Sequence, residues 1–143
     1  MQMNLQISPY EGVGPIKLGM TQDEVRKAVG TDFKLFMKGS TSAMPTDDFI
    51  GTGIHVFYRK PGLCEAVEMF SPASPTFRGY RLIGIPFSQL ATYFRQEDQS
   101  TEIDAGGLTS QLLGVGLYVP FLKESQDSSV ESVIVFEKGY YNS

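Results

Sequence analysis

The 143-residue sequence predicts an α+β fold: a single domain over residues 1–143 made of two tandem helix-plus-antiparallel-strand units, which share one sheet and carry their helices on one face. Three observations predict it. The chain repeats itself. Phe49-Ile50-Gly51-Thr52-Gly53-Ile54-His55-Val56 reads onto Leu112-Leu113-Gly114-Val115-Gly116-Leu117-Tyr118-Val119, and Glu65-Ala66-Val67-Glu68-Met69-Phe70 onto Glu131-Ser132-Val133-Ile134-Val135-Phe136. Leu18-Gly19-Met20-Thr21, with Val25 and Val29, reads onto Ile83-Gly84-Ile85-Pro86, with Leu90 and Phe94. Three blocks in one order at nearly constant spacing define units of about residues 10–71 and 76–138. The second observation is a helix signature at the start of each unit, and the third is a pair of β-rich runs at the end of each. The joining segment, Ser71-Pro72-Ala73-Ser74-Pro75, is too short to make the units independent domains.

In chain order, Asn4–Ser8 and Ile16–Leu18 are extended pieces that lead to the first helix. Thr21 and Glu24 form the reciprocal capping-box pattern, Val25, Ala28 and Val29 supply an apolar stripe, and Gly30 suits the left-handed residue that ends a helix. Phe33–Met37 is a strand candidate. Gly53–Tyr58 and Cys64–Phe70 are strands joined at the turn residues Pro61-Gly62. In the second unit Tyr80–Ile83 is extended, Pro86 pre-sets the helix entry, Ser88 is a candidate cap, and Leu90, Tyr93 and Phe94 repeat the stripe through about Gln96. Thr101–Asp104 is a strand candidate, and Gly116–Val119 with Val130–Phe136 repeats the hairpin across a longer polar connection. Both helices are short and need a sheet to pack against.

Composition narrows the function. Hydrophobic residues make up 41% and charged residues 20%, enough for a core and against long disorder. A net charge of −4 disfavours binding to phosphate backbones, so no nucleic-acid partner is expected. No apolar run reaches the roughly 18 residues of a membrane helix. The opening Met1-Gln2-Met3-Asn4-Leu5 lacks the basic start and apolar core of a secretory signal, and one cysteine, Cys64, fits a reducing compartment; a cytoplasmic protein without a membrane partner is the expectation.

Few residue patterns carry chemistry. The only histidine and the only cysteine, His55 and Cys64, lie on paired hairpin strands, so a Cys/His dyad is conceivable; the matching positions Tyr118 and Val130 in the second unit argue for structural slots instead. Gly51-Thr52-Gly53 precedes a strand and opens no helix, so the glycines fit close strand approach better than phosphate binding. One histidine and one cysteine make no zinc cluster, and no acidic run has EF-hand spacing; neither metal nor cofactor is expected. Glu97, Asp98, Glu102 and Asp104 form an acidic stretch that reads either as solvated loop charge or as a rim for a basic partner. If Ile54, Val56 and Tyr58 face the helices, His55 and Phe57 face the other way, as Tyr118 does in the second unit. Such an aromatic face suits a protein-binding surface, a core closed by loops, or a homodimer interface.

The segment Ile16-Lys17-Leu18-Gly19-Met20-Thr21-Gln22-Asp23-Glu24-Val25-Arg26-Lys27-Ala28-Val29-Gly30 resembles a recurrent bacterial segment of the form I-x-L-G-M-[ST]-x-x-E-V-x-x-x-x-G. It is similar to the opening helix of the SmpA/OmlA outer-membrane assembly lipoproteins and of the β-lactamase inhibitor protein family. The latter resemblance implies a tandem of two helix-plus-sheet units whose combined concave sheet grips another protein. The lipobox of the former and the disulfides of the latter have no counterpart here, so the resemblance is one of scaffold. In size and charge the chain also resembles immunity proteins paired with bacterial polymorphic toxins.

The expected function is therefore a non-enzymatic protein-binding or inhibitor protein, such as an immunity protein neutralising a bacterial toxin or enzyme, with no catalytic residues and with His55, Phe57, Tyr118, Glu97, Asp98, Glu102 and Asp104 as contacts to a partner that is basic where it touches. The alternative is a small-molecule-binding or enzymatic domain with a cleft between the units, where His55 and an acid act. The state is monomer or homodimer.

Overall fold

The computed structural model describes residues 3–37 and 44–141. Met1 and Gln2, part of the expected non-signal start, and residues 38–43, inside the first expected unit, lie outside the described residues. The elements run β1 (Ile7–Ser8), β2 (Gly12–Val13), β3 (Ile16–Lys17), α1 (Gln22–Val29), β4 (Phe33–Phe36), β5 (Thr46–Phe49), β6 (Ile54–Arg59) and β7 (Leu63–Phe70). They continue with β8 (Thr76–Phe77), β9 (Tyr80–Arg81), α2 (Phe87–Glu97), β10 (Glu102–Asp104), β11 (Gly107–Ser110), β12 (Val115–Tyr118) and β13 (Ser132–Phe136). Eight strands form one antiparallel sheet in the order β10-β11-β12-β13-β7-β6-β5-β4, and the short β1-β2-β3 and β8-β9 sheets stand apart from it.

This corrects the expected fold class. The molecule is mostly β, with 39% of the described residues in strands and 14% helical in two helices, rather than an α+β assembly of two helix-plus-strand units with helices on one face. The sequence pattern assigns no strand to β5 or β11, each of four residues. With them, the eight-stranded sheet dominates helices of 8 and 11 residues.

Local chemistry explains both helix starts. At α1 the Thr21 hydroxyl accepts from the Glu24 N–H at 3.2 Å and the Glu24 carboxylate accepts from the Thr21 N–H at 2.9 Å, while Gly30 closes the helix at φ 72°. The same bonds hold the Glu24 carboxyl below its ordinary pKa, the Thr21 backbone N–H being the main cause. At α2 Ser88 does not cap; its hydroxyl donates to Asp127 at 2.8 Å. The Phe87 and Ser88 N–H groups instead donate to the Ser128 and Gln126 carbonyls, each at 2.9 Å, so the polar connection before β13 satisfies the orphan donors of the first turn.

Ile54 and Val56 on β6, Val67 and Met69 on β7, Val115 and Leu117 on β12, and Val133 and Val135 on β13 enter the main core with Val25 and Val29 of α1 and Phe87, Leu90 and Phe94 of α2. Among these apolar groups lies Asp47 of β5, fully buried. Arg26 donates to it twice, from Nε at 2.9 Å and Nη2 at 3.0 Å, and the Tyr58 hydroxyl donates at 2.7 Å. Three donors on one carboxylate offset the cost of burying its charge. Burial, and then the bond to Asp47, push the Tyr58 hydroxyl's pKa far above its ordinary value.

Candidate functional site

Strand alternation sends one set of side chains into the main core and the other to the opposite sheet face. On that opposite face a single cross-strand row spans the whole sheet: Glu102, Thr109, Gly116, Ile134, Glu68, His55, Asp48 and Lys34, each directly paired with the next. A neighbouring row runs Asp104, Gly107, Tyr118, Ser132 and Phe70. Acidic groups outnumber basic ones here. Lys34 lies 3.7 Å from Asp48, and His55 has Asp48 at 3.4 Å and Glu68 at 3.6 Å, pairs that are ionic only when the imidazole carries a proton. The His55 ring is held between Phe36 and Phe70, with centroids 5.0 and 4.8 Å away.

A hollow of about 390 Å³ opens on this face over β10, β11 and β12. Its floor exists because of two glycines. A Cβ on Gly107, at φ +144°, would meet the Leu117 carbonyl oxygen at 1.9 Å, and one on Gly116 would meet Ile134 Cγ2 at 2.9 Å. At Gly107 the neighbouring backbone excludes a side chain and at Gly116 a side chain would have to displace Ile134, so the strands carry a depression between Thr109, Tyr118 and Ile134. The far wall is Tyr140 and Tyr141, which fold back on Phe136 with centroids 5.8 and 5.0 Å from its ring. Burial first, and then the negative fields of Tyr140 and Glu68, raise the Tyr141 pKa, so its ring is neutral at physiological pH. Among the described residues, Glu68 and Asp104 are the only charged ones lining the hollow.

The expected contact residues do not all meet here. Tyr118 is 52% exposed beside the hollow, and Glu102 and Asp104 are exposed on the same face. His55 is on the face but only partly exposed, wedged by its two phenylalanines. Phe57 is a correction. It points to this side yet is 5% exposed, because it packs with Ala66 and Phe136 under Tyr10, Ile134 and Tyr140. Asp98 is also a correction: at 3% exposure it accepts hydrogen bonds from Ser100 and Ser110 and offers no charge to a partner. Glu97 ends α2 and pairs with Arg78, away from the sheet rows. Glu68, Tyr140 and Tyr141 are not among the sequence candidates: simple hairpin parity puts Val67 opposite His55, a register shift between Phe57 and Tyr58 brings Glu68 there instead, and the fold-back of the tail has no sequence signal.

The conceivable Cys/His dyad is not assembled. Cys64 lies in the main core, its thiol pushed up to about 12 chiefly by burial, while His55 faces the other side of the sheet. Gly53 serves close strand approach, since a Cβ there would meet the Phe70 carbonyl oxygen at 2.0 Å. Among the described residues no three His, Cys, Asp or Glu side chains converge as a metal centre, and no helix is long and apolar enough to cross a membrane. No protein-family model matches the chain, and no curated protein or solved structure matches it significantly.

Proposed function

We propose that the protein is a non-enzymatic binder that holds a basic surface of another protein against its open sheet face and occludes it, as an inhibitor or immunity protein does. The row of paired residues across all eight strands supports this reading most directly: Glu102, Glu68 and Asp48 face one lysine, already beside Asp48, and the half-exposed Tyr118 stands next to them. Carboxylates of this kind steer a cationic partner during encounter, and an exposed tyrosine supplies an anchor. The test is a photo-crosslinking amino acid at position 118 or 102, with position 112, exposed on a connection outside the face, as control. Support is one protein crosslinked from 118 and 102 and not from 112, which then binds the purified chain with an affinity that falls as salt rises. Absence of any face-specific crosslink, or binding unchanged by Tyr118→Ala, refutes the reading.

One observation favours a second reading, a small-ligand domain. A cavity of about 430 Å³ lies between Leu5, Val29, Ile54, Pro72 and Ala73, with the Arg81 guanidinium as the only charged lining group among the described residues. His55 is not in it, so the cavity lacks the acid–base pair expected of an enzymatic cleft. Its chemistry suits an apolar carboxylate. A rise in Tm with octanoate that disappears in Arg81→Ala would support this reading, and no rise would dismiss it.

A further inference from the structure

The hollow on the sheet face has two anionic ends rather than one. Asp104 sits on the edge strand β10 and Glu68 on the central strand β7, with β11, β12 and β13 between them. Four strand spacings at about 4.8 Å place their backbones roughly 19 Å apart across the sheet. No single guanidinium or ammonium reaches both. Tyr118, on β12, stands midway, two strands from each. The depression thus runs across the strands, with a carboxylate at either end, aromatic rings of Tyr118, Tyr140 and Tyr141 along it, and no basic side chain among the described residues that line it.

We infer that this trough takes an extended segment of a partner protein that carries two basic side chains about four residues apart, one for Asp104 and one for Glu68, with arginine preferred. The spacing follows from the trough. An extended chain advances about 3.3 Å per residue, so positions i and i+4 stand about 13 Å apart, and two flexible side chains cover the remainder. The preference for arginine follows from the walls, because a guanidinium stacks on tyrosine rings while bonding a carboxylate, whereas an ammonium acts as a compact charge. A protein source is favoured over a free polyamine because the same row continues beyond the trough: Asp48 lies two strands past Glu68 and is within reach only of a longer occupant. This inference rests on the reading of the face as a protein-binding surface and adds the chemistry of what binds.

The experiment is an amide chemical-shift titration of the full chain at constant pH and salt. The probe is a blocked heptapeptide Gly-Arg-Ser-Gly-Ser-Arg-Gly, compared with its dicitrulline form, its dilysine form, a heptapeptide of equal charge with adjacent arginines, and spermidine. The expected result is saturable shifts at Gly107, Thr109, Gly116 and Tyr118 with the spaced arginine peptide, no saturation with citrulline, and at least fivefold weaker binding with lysine, with adjacent arginines and with spermidine. Glu68→Gln and Asp104→Asn are each expected to weaken the spaced peptide at least fivefold while leaving the remaining amide spectrum native, and Glu124→Gln, elsewhere on the surface, is expected to leave affinity unchanged. Equal binding of the adjacent-arginine peptide overturns the spacing, equal binding of spermidine overturns the protein source, equal binding of the lysine peptide overturns the guanidinium, and equal weakening by Glu124→Gln reduces the effect to general charge. If the peptide fails while a partner still crosslinks at position 118, this inference falls and the reading of the face stands; if the peptide binds and no partner crosslinks, the reading of the face falls and the assignment of the trough to a partner protein falls with it.

Discussion

Replacing Asp98 by alanine is expected to destabilise the protein by about 3 kcal/mol. Asp98 closes α2 through its own N–H, which donates to the Phe94 carbonyl at 2.7 Å, and its carboxylate gathers the next two segments. Oδ1 accepts from the Ser100 N–H at 3.0 Å and hydroxyl at 2.7 Å, and Oδ2 accepts from the Ser110 hydroxyl at 2.6 Å and, more distantly, the Leu112 N–H at 3.4 Å. Hydrogen bonds to a charged group contribute about 1.5–3 kcal/mol each and do not simply add. On truncation Ser100 regains water, whereas Ser110, with no exposed surface, keeps a buried hydroxyl without its acceptor. That orphan alone costs about 1–3 kcal/mol. Urea unfolding followed by circular dichroism measures the loss; at an unchanged slope of about 1–3 kcal/mol per molar, the midpoint falls by 1 M or more. The effect also has a pH signature. Burial works to raise the Asp98 pKa, but the bonds from Ser110, Ser100 and Leu112 outweigh it and hold the acid below its ordinary value. A folded-state pKa below the unfolded one, about 3.9, stabilises the fold fully above that value and is lost as pH falls through the folded pKa. The stability gap between wild type and Asp98→Asn therefore narrows below about pH 4. A loss under about 1 kcal/mol on truncation, or a gap that stays constant on acidification, would refute the assignment.

Three further outcomes are expected. Asp47→Asn leaves Arg26 and Tyr58 around a neutral amide and costs about 3 kcal/mol in chemical denaturation, since a buried pair is broken at one partner; a cost below about 1 kcal/mol would show the carboxylate to be dispensable. Gly116→Ala drives a Cβ against Ile134 and costs about 1–3 kcal/mol, and a double-mutant cycle with Ile134→Ala shows a coupling of about 0.5 kcal/mol or more; zero coupling would contradict the contact. Cys64, buried with its thiol raised to about 12, resists iodoacetamide at neutral pH in the native protein and reacts once urea unfolds it, as mass spectrometry will show.

The parts legible in the sequence are those whose signals are local. Thr21 and Glu24 announce their cap within one turn, and the hairpin of β6 and β7 is marked by alternation on both sides of Pro61-Gly62. The parts that escaped depend on distant partners. Two aspartates in Thr46–Phe49 oppose strand propensity, and it takes Arg26 and Tyr58, from other elements, to make Asp47 acceptable inside. Gly107–Ser110 likewise looks like a turn until β10 and β12 pair on either side of it. Missing those two strands is what misjudged the balance between sheet and helix. In the site, parity placed His55 and Tyr118 on the open face correctly, but it put Phe57 there too, and only the return of Tyr10 and Tyr140 over Phe136 buries that ring. Glu97 and Asp98 are adjacent acids with opposite fates, because the chain turns inward at the end of α2, a direction no composition rule encodes.

The junction of β7 with β13 joins two meanders, each assembled from neighbours in sequence, through five pairs from Ser132–Phe70 to Phe136–Ala66. Every other neighbouring pair in the sheet joins strands consecutive along the chain, but this seam closes a loop of more than sixty residues and so carries the largest loop-closure entropy in the sheet. Within the sheet the two meanders are held together by that midline pairing alone. An occupant resting on Glu68, which belongs to that midline, would bind only the docked form and so would fasten the halves against coming apart.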